Sequence, residues 1–249
     1  MKAKTDTIPH RLPLQGAYNV RDVGGYVTKD GRFLKPRTLI RADSLHNLTP
    51  ADQQYLLDYG VRTIIDLRRS TEIEADPNVF ADSTAVHYQN LPLHNGWKFI
   101  LENNRPDNLS HLYCSILDNA PKTIHAVMTA VSTPNAFPLI VHCQIGKDRT
   151  GVLMALLLGV VGVPDETIIA DYAYSRDFLD PILEKYRLKI REQGGDISLF
   201  DMLTQSPPEA MADTLAHLKN TYGGIRPYLL HHIGLTDFQL DTVQSQLLL

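Results

Sequence analysis

A cysteine and an arginine six residues apart carry the most specific chemistry in this chain. They stand in Val141-His142-Cys143-Gln144-Ile145-Gly146-Lys147-Asp148-Arg149-Thr150-Gly151. An apolar run over residues 137–141 leads in, and a longer one over 152–161 leads out. That order predicts strand, tight loop, helix. Such a loop aims backbone N–H groups and a helix N-terminus at whatever it holds, and so cradles an anion. A thiol attacks phosphorus as its thiolate, the form favoured at helix N-termini beside cations. A guanidinium fork grips two oxygens of a tetrahedral anion at once, which an ammonium cannot do. Cys143 therefore reads as a nucleophile and Arg149 as a phosphate clamp. Residues Gln144, Ile145, Gly146, Lys147, Asp148 and Arg149 would line the anion. The chemistry is phosphate-ester cleavage through a cysteinyl-phosphate.

The neighbouring residues divide by what a side chain can do there. Gly146 removes a side chain where backbone approaches the phosphate or takes φ > 0. The Thr150 hydroxyl either donates to the sulfur, making it a better leaving group, or caps the helix. Gly151 permits close packing of helix on strand. His142 reads as a brace for the loop, not as a base. No Cys/His spacing of the metal-binding kind accompanies Cys143, and cleavage through a cysteinyl-phosphate needs neither a metal nor an organic cofactor.

The elements that must position this loop follow from pattern. Strands are predicted over residues 38–41, 61–67, 84–93 and 137–141. A helical region is expected from 44–48, with Thr49 as N-cap and Pro50 at the first helical position. Further helices are expected over 109–117, 122–131, 164–174, 180–192, 209–219, 228–233 and 236–248, with breaks at Gly194-Gly195 and Gly223-Gly224. Residues 1–18 read as an extended arm, and a short hairpin is expected through Lys29-Asp30-Gly31. Strands alternating with helices, then helices alone, predict an α/β fold. It has a mainly parallel central sheet flanked by helices and an extra helical segment near the C-terminus.

Composition narrows the setting. With 249 residues, 43% of them hydrophobic, and no polar linker or repeat, the chain is expected to form a single domain over 1–249. A formal charge of −4 argues against a nucleic-acid partner held mainly by charge. Two cysteines, Cys114 and Cys143, make no disulfide framework, and a bridged Cys143 would be useless as a nucleophile. A reducing, cytoplasmic setting is expected. Residues 1–14 have no continuous apolar stretch and are unlike a signal peptide. No apolar run approaches the roughly 20 residues of a membrane span, so no transmembrane segment is expected.

His142-Cys143-x5-Arg149-Thr150-Gly151 resembles the protein tyrosine phosphatase signature. The longer HCxxGKDRTG form resembles atypical bacterial tyrosine phosphatases that also accept phosphoserine/threonine and phosphoinositides. Other segments are similar to that family in the family's order: Asn19-Val20-Arg21-Asp22-Val23-Gly24-Gly25, Leu39-Ile40-Arg41-Ala42-Asp43, Ile65-Asp66-Leu67-Arg68 before Glu72, Ala170-Asp171-Tyr172, and Tyr222-Gly223-Gly224. The resemblance spans about residues 15–249. It implies a tyrosine-phosphatase-like fold, Cys143 as nucleophile, Arg149 as clamp, and Arg21 and Asp22 as loop supports. It also implies a helical lid over residues 176–216, where pattern alone fits two amphipathic helices packed on the sheet. The implied substrates are phosphorylated proteins and phosphoinositides, with inorganic phosphate as product.

One departure concerns the general acid. Ordinary tyrosine phosphatases supply it from a Trp-Pro-Asp loop, and this chain has no such tripeptide. The corresponding Leu91-Pro92-Leu93-His94-Asn95-Gly96-Trp97 carries no carboxylate. Asp148 is the first candidate proton donor; the alternative is a structural carboxylate bracing Arg21, Arg149 or loop amides. Asp107 and His94 are further candidates. Lys147 matches the Lys-Asp pair of the lipid-active subgroup. It would contact a second phosphate or a substrate acid, or only raise the local potential. Two rivals from other classes remain. One is a phosphate-binding module, which usually lacks the Cys or the Arg. The other is an arsenate reductase or sulfurtransferase, which would want a resolving thiol where only Cys114 is available.

Overall fold

The computed structural model of the chain describes residues 10–93 and 109–249. Six strands form one sheet in the spatial order β1-β2-β3-β6-β4-β5. Four are parallel: β3 (Leu39–Ala42), β6 (Leu139–His142), β4 (Thr63–Asp66) and β5 (His87–Asn90). Two short antiparallel strands, β1 (His10–Arg11) and β2 (Arg21–Asp22), extend the β3 side. Every residue of β3, β4 and β6 is buried, as expected when helices cover both faces of a parallel sheet. Side chains alternate between those faces. Ile40, Ile64 and Ile140 enter one apolar layer, with Leu56 and Phe80. Leu39, Ile65, Leu139 and Val141 enter the other, with Leu153 and Leu157. The architecture is α/β with a mostly parallel central sheet flanked by helices, as the sequence predicts.

Register brings the ends of three strands together. His142 pairs with Ala42 on one side and Asp66 on the other. The chain leaving β6 therefore emerges between β3 and β4, in the crevice beyond the carboxyl ends of the strands where open α/β sheets bind ligands. It then enters α5.

The helices, in chain order, are α1 (Pro50–Tyr59), α2 (Ser70–Ala75), α3 (Leu109–Asn119), α4 (Pro121–Val131), α5 (Asp148–Val160), α6 (Asp165–Ala173), α7 (Ser175–Glu192), α8 (Ile197–Thr204), α9 (Pro208–Tyr222) and α10 (Asp237–Leu247). A short turn and a π-helical stretch, Tyr228–His232, connect the last two. Thr49 caps α1 by accepting from the Asp52 N–H at 3.1 Å, while the Asp52 carboxylate accepts from the Thr49 N–H at 3.0 Å. Among the described residues no helix is long and apolar enough to cross a membrane.

Two local expectations, the helix over 44–48 and the helix start at 180, are corrected. Residues 44–48 close a single turn instead of a helix, with the Leu48 N–H reaching the Leu45 carbonyl at 3.4 Å and the Ser44 N–H donating to the Gln144 carbonyl at 3.1 Å. From His10 onward the extended arm supplies β1, and its Leu12, Leu14 and Ala17 are buried in the core; residues 1–9 lie outside the described residues. The helix expected from 180 starts at Ser175 and carries Pro181 inside it. The short hairpin expected through Gly31 forms, with an antiparallel bridge from Val27 to Phe33 and the Thr28 N–H donating to the Arg32 carbonyl at 2.9 Å.

Candidate active site

The loop between β6 and α5 is held from outside by its carbonyls. Gln144 O accepts from the Ser44 N–H at 3.1 Å, Ile145 O from Asn19 Nδ2 at 3.0 Å, and Gly146 O from Arg41 Nη2 at 2.8 Å. In a trans peptide the N–H points opposite to the preceding C=O. The N–H groups of Ile145, Gly146 and Lys147 are therefore turned away from those donors, toward the loop interior. That is the arrangement of an anion cradle. Cys143 sits at its base, 1% exposed. Gly146 has φ +68°, and a Cβ there would lie 2.5 Å from the Ala42 carbonyl oxygen. The close approach is thus to the end of β3, where the sequence reading places it at the phosphate.

Arg149, 6% exposed, stands in the first turn of α5. Its two terminal nitrogens donate to the two oxygens of Glu72, Nη1 at 2.8 Å and Nη2 at 2.7 Å, and Nη1 also reaches Leu67 O at 3.2 Å. A fork bound on both arms is fixed in its plane. Burial pushes the Glu72 carboxyl up, but the Arg149 guanidinium outweighs it and brings the group down to about 2.

Behind the loop lies a buried ionic cluster. Asp171 of α6 accepts from Arg21 Nε at 3.0 Å, from Arg41 Nη1 and from the Tyr26 hydroxyl at 3.1 Å. Arg21 also donates to Asn19 Oδ1, so both arginines connect Asp171 to loop carbonyls, one directly and one through Asn19. Burial pushes the Asp171 carboxyl up, and the two guanidiniums bring it to about 2. Asp22, expected beside Arg21 as a loop support, is elsewhere. Its carboxylate accepts from the Gly24 and Arg37 N–H groups and the Tyr59 hydroxyl. Adjacent strand residues face opposite ways, so one of the pair turns from the loop.

His142 is fully buried, with Nδ1 3.2 Å from Cys143 O and Nε2 2.9 Å from Asn78 Nδ2 and 3.3 Å from Asp66 Oδ2. Burial pushes Asp66 up, but His142 and Arg68 hold it well below the usual carboxylate range. Arg68 binds Asp66 and reaches Ser44 Oγ at 2.9 Å, which ties this second cluster to the Gln144 carbonyl.

Lys147 is fully buried. Its Nζ donates to Gln205 O at 2.6 Å and lies 2.9 Å from Asp148 Oδ1. Burial pushes this lysine down, with Asp148 opposing. Asp148 Oδ1 also accepts from the Tyr113 hydroxyl at 2.6 Å, and Tyr113 meets the Tyr172 hydroxyl at 2.7 Å. The braces on Asp148 are thus Lys147 and Tyr113, not Arg21, Arg149 or loop amides. The helix cap falls on Lys147, and the Thr150 hydroxyl is buried with no hydrogen-bond partner among the described residues. Gly151 faces Tyr172, whose Cδ2 a Cβ would meet at 3.1 Å. Its close contact is helix to helix, not helix to strand. Two further contacts reach the loop from above: Gln144 Nε2 donates to the Tyr186 hydroxyl of α7 at 2.7 Å, and Gln205 follows α8. His94 and Asp107 lie outside the described residues.

Sequence reasoning misses Asn19, Ser44, Asn78 and Tyr113 as parts of this site. Arg41 carries a usable signal: a charge inside the apolar strand Leu39–Ala42 must find a buried partner.

The model of the tyrosine phosphatase family matches residues 12–249. The chain is 32% identical over 144 residues to a tyrosine-protein phosphatase of Nostoc commune, covering 57% of this chain and 49% of that protein. It is 27% identical over 244 residues to the triple specificity protein phosphatase PtpB of Mycobacterium tuberculosis, covering 86% and 83%. The chain thus spans about half the length of the Nostoc relative and most of the mycobacterial one. A crystal structure of P. aeruginosa TpbA aligns at 16% identity and a TM-score of 0.32, over 70% of this chain and 89% of that one.

Proposed function

The chain belongs to the tyrosine phosphatase family, and on that premise we propose that it is a cysteine-dependent phosphatase. Its substrates in this reading are phosphotyrosine, phosphoserine/threonine and phosphoinositides, and its setting is cytoplasmic. The observation that carries the reading is the loop itself. Three successive carbonyls are pinned outward around Cys143, and Arg149 is held in plane by Glu72.

The substrate phosphate docks on the inward N–H groups and Arg149. Cys143 Sγ attacks phosphorus in line; the S–P bond forms as the ester P–O bond breaks. Asp148 gives its proton to the departing oxygen. Water then attacks phosphorus, the S–P bond breaks, the water proton returns to Asp148, and inorganic phosphate leaves. Positioned cations and N–H donors stabilise the charge on the equatorial oxygens and supply most of the rate. The Thr150 hydroxyl, buried without a hydrogen-bond partner among the described residues, donates to the sulfur as it leaves in this mechanism. Residues 176–216, which touch the loop through Tyr186 and Gln205, form a lid or wall over the pocket in this reading.

A reductase or sulfurtransferase reading is not favoured. Burial, with Asp118 and Asp213, pushes the Cys114 thiol up to about 11, away from the thiolate a resolving cysteine needs. The test is turnover of an aryl phosphate in fresh reductant. We expect hydrolysis by the wild type; no turnover, or arsenate or thiosulfate turnover exceeding it, overturns the reading.

A further inference from the structure

We infer that Tyr113 of α3, backed by Tyr172 of α6, is a positioning residue for proton transfer. The two hydroxyls form a one-way donor chain onto Asp148 Oδ1 and so reserve Asp148 Oδ2 for the proton that the leaving oxygen receives. The inference rests on the phosphatase reading above, with Asp148 as its acid.

The direction of the chain follows from the hydrogens available. The Tyr113 hydroxyl lies 2.6 Å from Asp148 Oδ1 and 2.7 Å from the Tyr172 hydroxyl. A phenol has one hydrogen to donate. Tyr113 gives its own to the carboxylate, so Tyr172 gives its own to Tyr113. Burial first, and then Asp148, pushes both phenols up, so both keep their protons and remain donors. The Lys147 ammonium, which can only donate, lies 2.9 Å from the same Asp148 oxygen. A proton on Oδ1 would face two donors, whereas Oδ2 meets none among the described residues.

Packing does not call for these hydroxyls. Both rings are buried, and they meet edge to face with centroids 5.7 Å apart. Phenylalanine would fill the same space and keep the ring contact. A buried phenol oxygen costs stability unless it finds a partner, and the partner at the end of this chain is the carboxyl next to Arg149. Both rings sit on fixed elements. Beyond Tyr113, the Tyr228 hydroxyl donates to Leu117 O at 2.7 Å, and His217 and Tyr222 meet Asp118 at 2.8 and 2.7 Å. Beside Tyr172, Asp171 is held between Arg21 and Arg41. A carboxyl with one oxygen fixed by two such donors presents the other oxygen in one place. The same donors stabilise the carboxylate as the proton leaves and hold it for the water step.

The test is a leaving-group series of aryl phosphates, read as kcat/KM. It compares the wild type, Tyr113→Phe, Tyr172→Phe, Asp148→Asn and the Tyr113→Phe/Asp148→Asn pair, with an unfolding midpoint for each. We expect Tyr113→Phe to slow phenyl phosphates with poor leaving groups about tenfold and activated nitrophenyl esters little. Tyr172→Phe, which leaves Tyr113 in place, should show the same pattern at about threefold. The pair should be no slower than Asp148→Asn alone, because the hydroxyl acts only through that carboxyl. Losses equal across the series, losses that multiply in the pair, or wild-type rates in Tyr113→Phe on every ester overturn the chain. Should Tyr113→Phe fail to fold, Tyr172→Phe and its pair with Asp148→Asn give the same readings. Uniform loss in Asp148→Asn removes the acid, and the chain with it, while leaving the phosphatase reading intact. No turnover of any phosphate ester by the wild type overturns that reading as well.

Discussion

Arg149 meets Glu72 through both arms of its guanidinium, at 2.8 and 2.7 Å. The pair sets the plane of the residue proposed to hold phosphate, and it also links the site to pH. Glu72 sits at about 2 in the folded chain against an ordinary 4.5. Its native pKa is depressed, so its stabilisation is fully present above about pH 4.5 and is lost as pH falls toward 2. Glu72→Gln should lower stability by roughly 2–3 kcal/mol at neutral pH and flatten the acid limb of the stability curve. Denaturant unfolding of both proteins from pH 7 to pH 2 measures this. Parallel curves would show that the pair contributes nothing to acid sensitivity.

Asp171 compensates two buried guanidiniums, Arg21 and Arg41. Asp171→Asn leaves both charges without their carboxylate in a fully buried place. The expected cost is about 3–5 kcal/mol, read from the shift of the denaturation midpoint. A loss below about 1 kcal/mol would mean that Ser175 and the loop carbonyls suffice.

Gly146 combines a left-handed φ of +68° with a Cβ position 2.5 Å from the Ala42 carbonyl, whereas the nearest atom to a Cβ at Gly151 is a tyrosine ring carbon at 3.1 Å. Gly146→Ala should therefore destabilise the protein by roughly 2 kcal/mol or more and cut turnover sharply. Gly151→Ala should cost less, because a ring can shift where strand backbone cannot. Equal effects in thermal unfolding would contradict the packing argument.

Asp148 carries its braces, Lys147 and Tyr113, on Oδ1. With the proton donated from this carboxyl, Asp148→Asn should slow phenyl phosphates with poor leaving groups about a hundredfold. Activated nitrophenyl esters should change little. A leaving-group series on both enzymes gives the answer, and uniform loss across it removes Asp148 from the acid role.

These residues show what a sequence displays and what it conceals. Cys143, Gly146 and Arg149 are legible because the chemistry demands fixed residue types within one contiguous loop. The parallel core is legible because β3, β4 and β6 each centre on consecutive apolar residues, Leu39-Ile40, Ile64-Ile65 and Leu139-Ile140-Val141. Strands of two residues such as β1 and β2 are too short for any period to register. Tyr113 reaches Asp148 from a separate helix, and the burial of Lys147 depends on a carbonyl 58 residues away, so neither leaves a local trace. Asp22 is recoverable in part, since strand alternation already separates it from Arg21.

The central claim is a covalent phosphoryl group on Cys143. Rapid acid quench of the wild type during turnover of an aryl phosphate, followed by peptide mass spectrometry, reads it directly. We predict one phosphoryl group on the peptide that carries Cys143, and none in Cys143→Ser, which should still bind inorganic phosphate. A phosphoryl group on another residue, or turnover by Cys143→Ser above about a thousandth of the wild-type rate, would contradict the account.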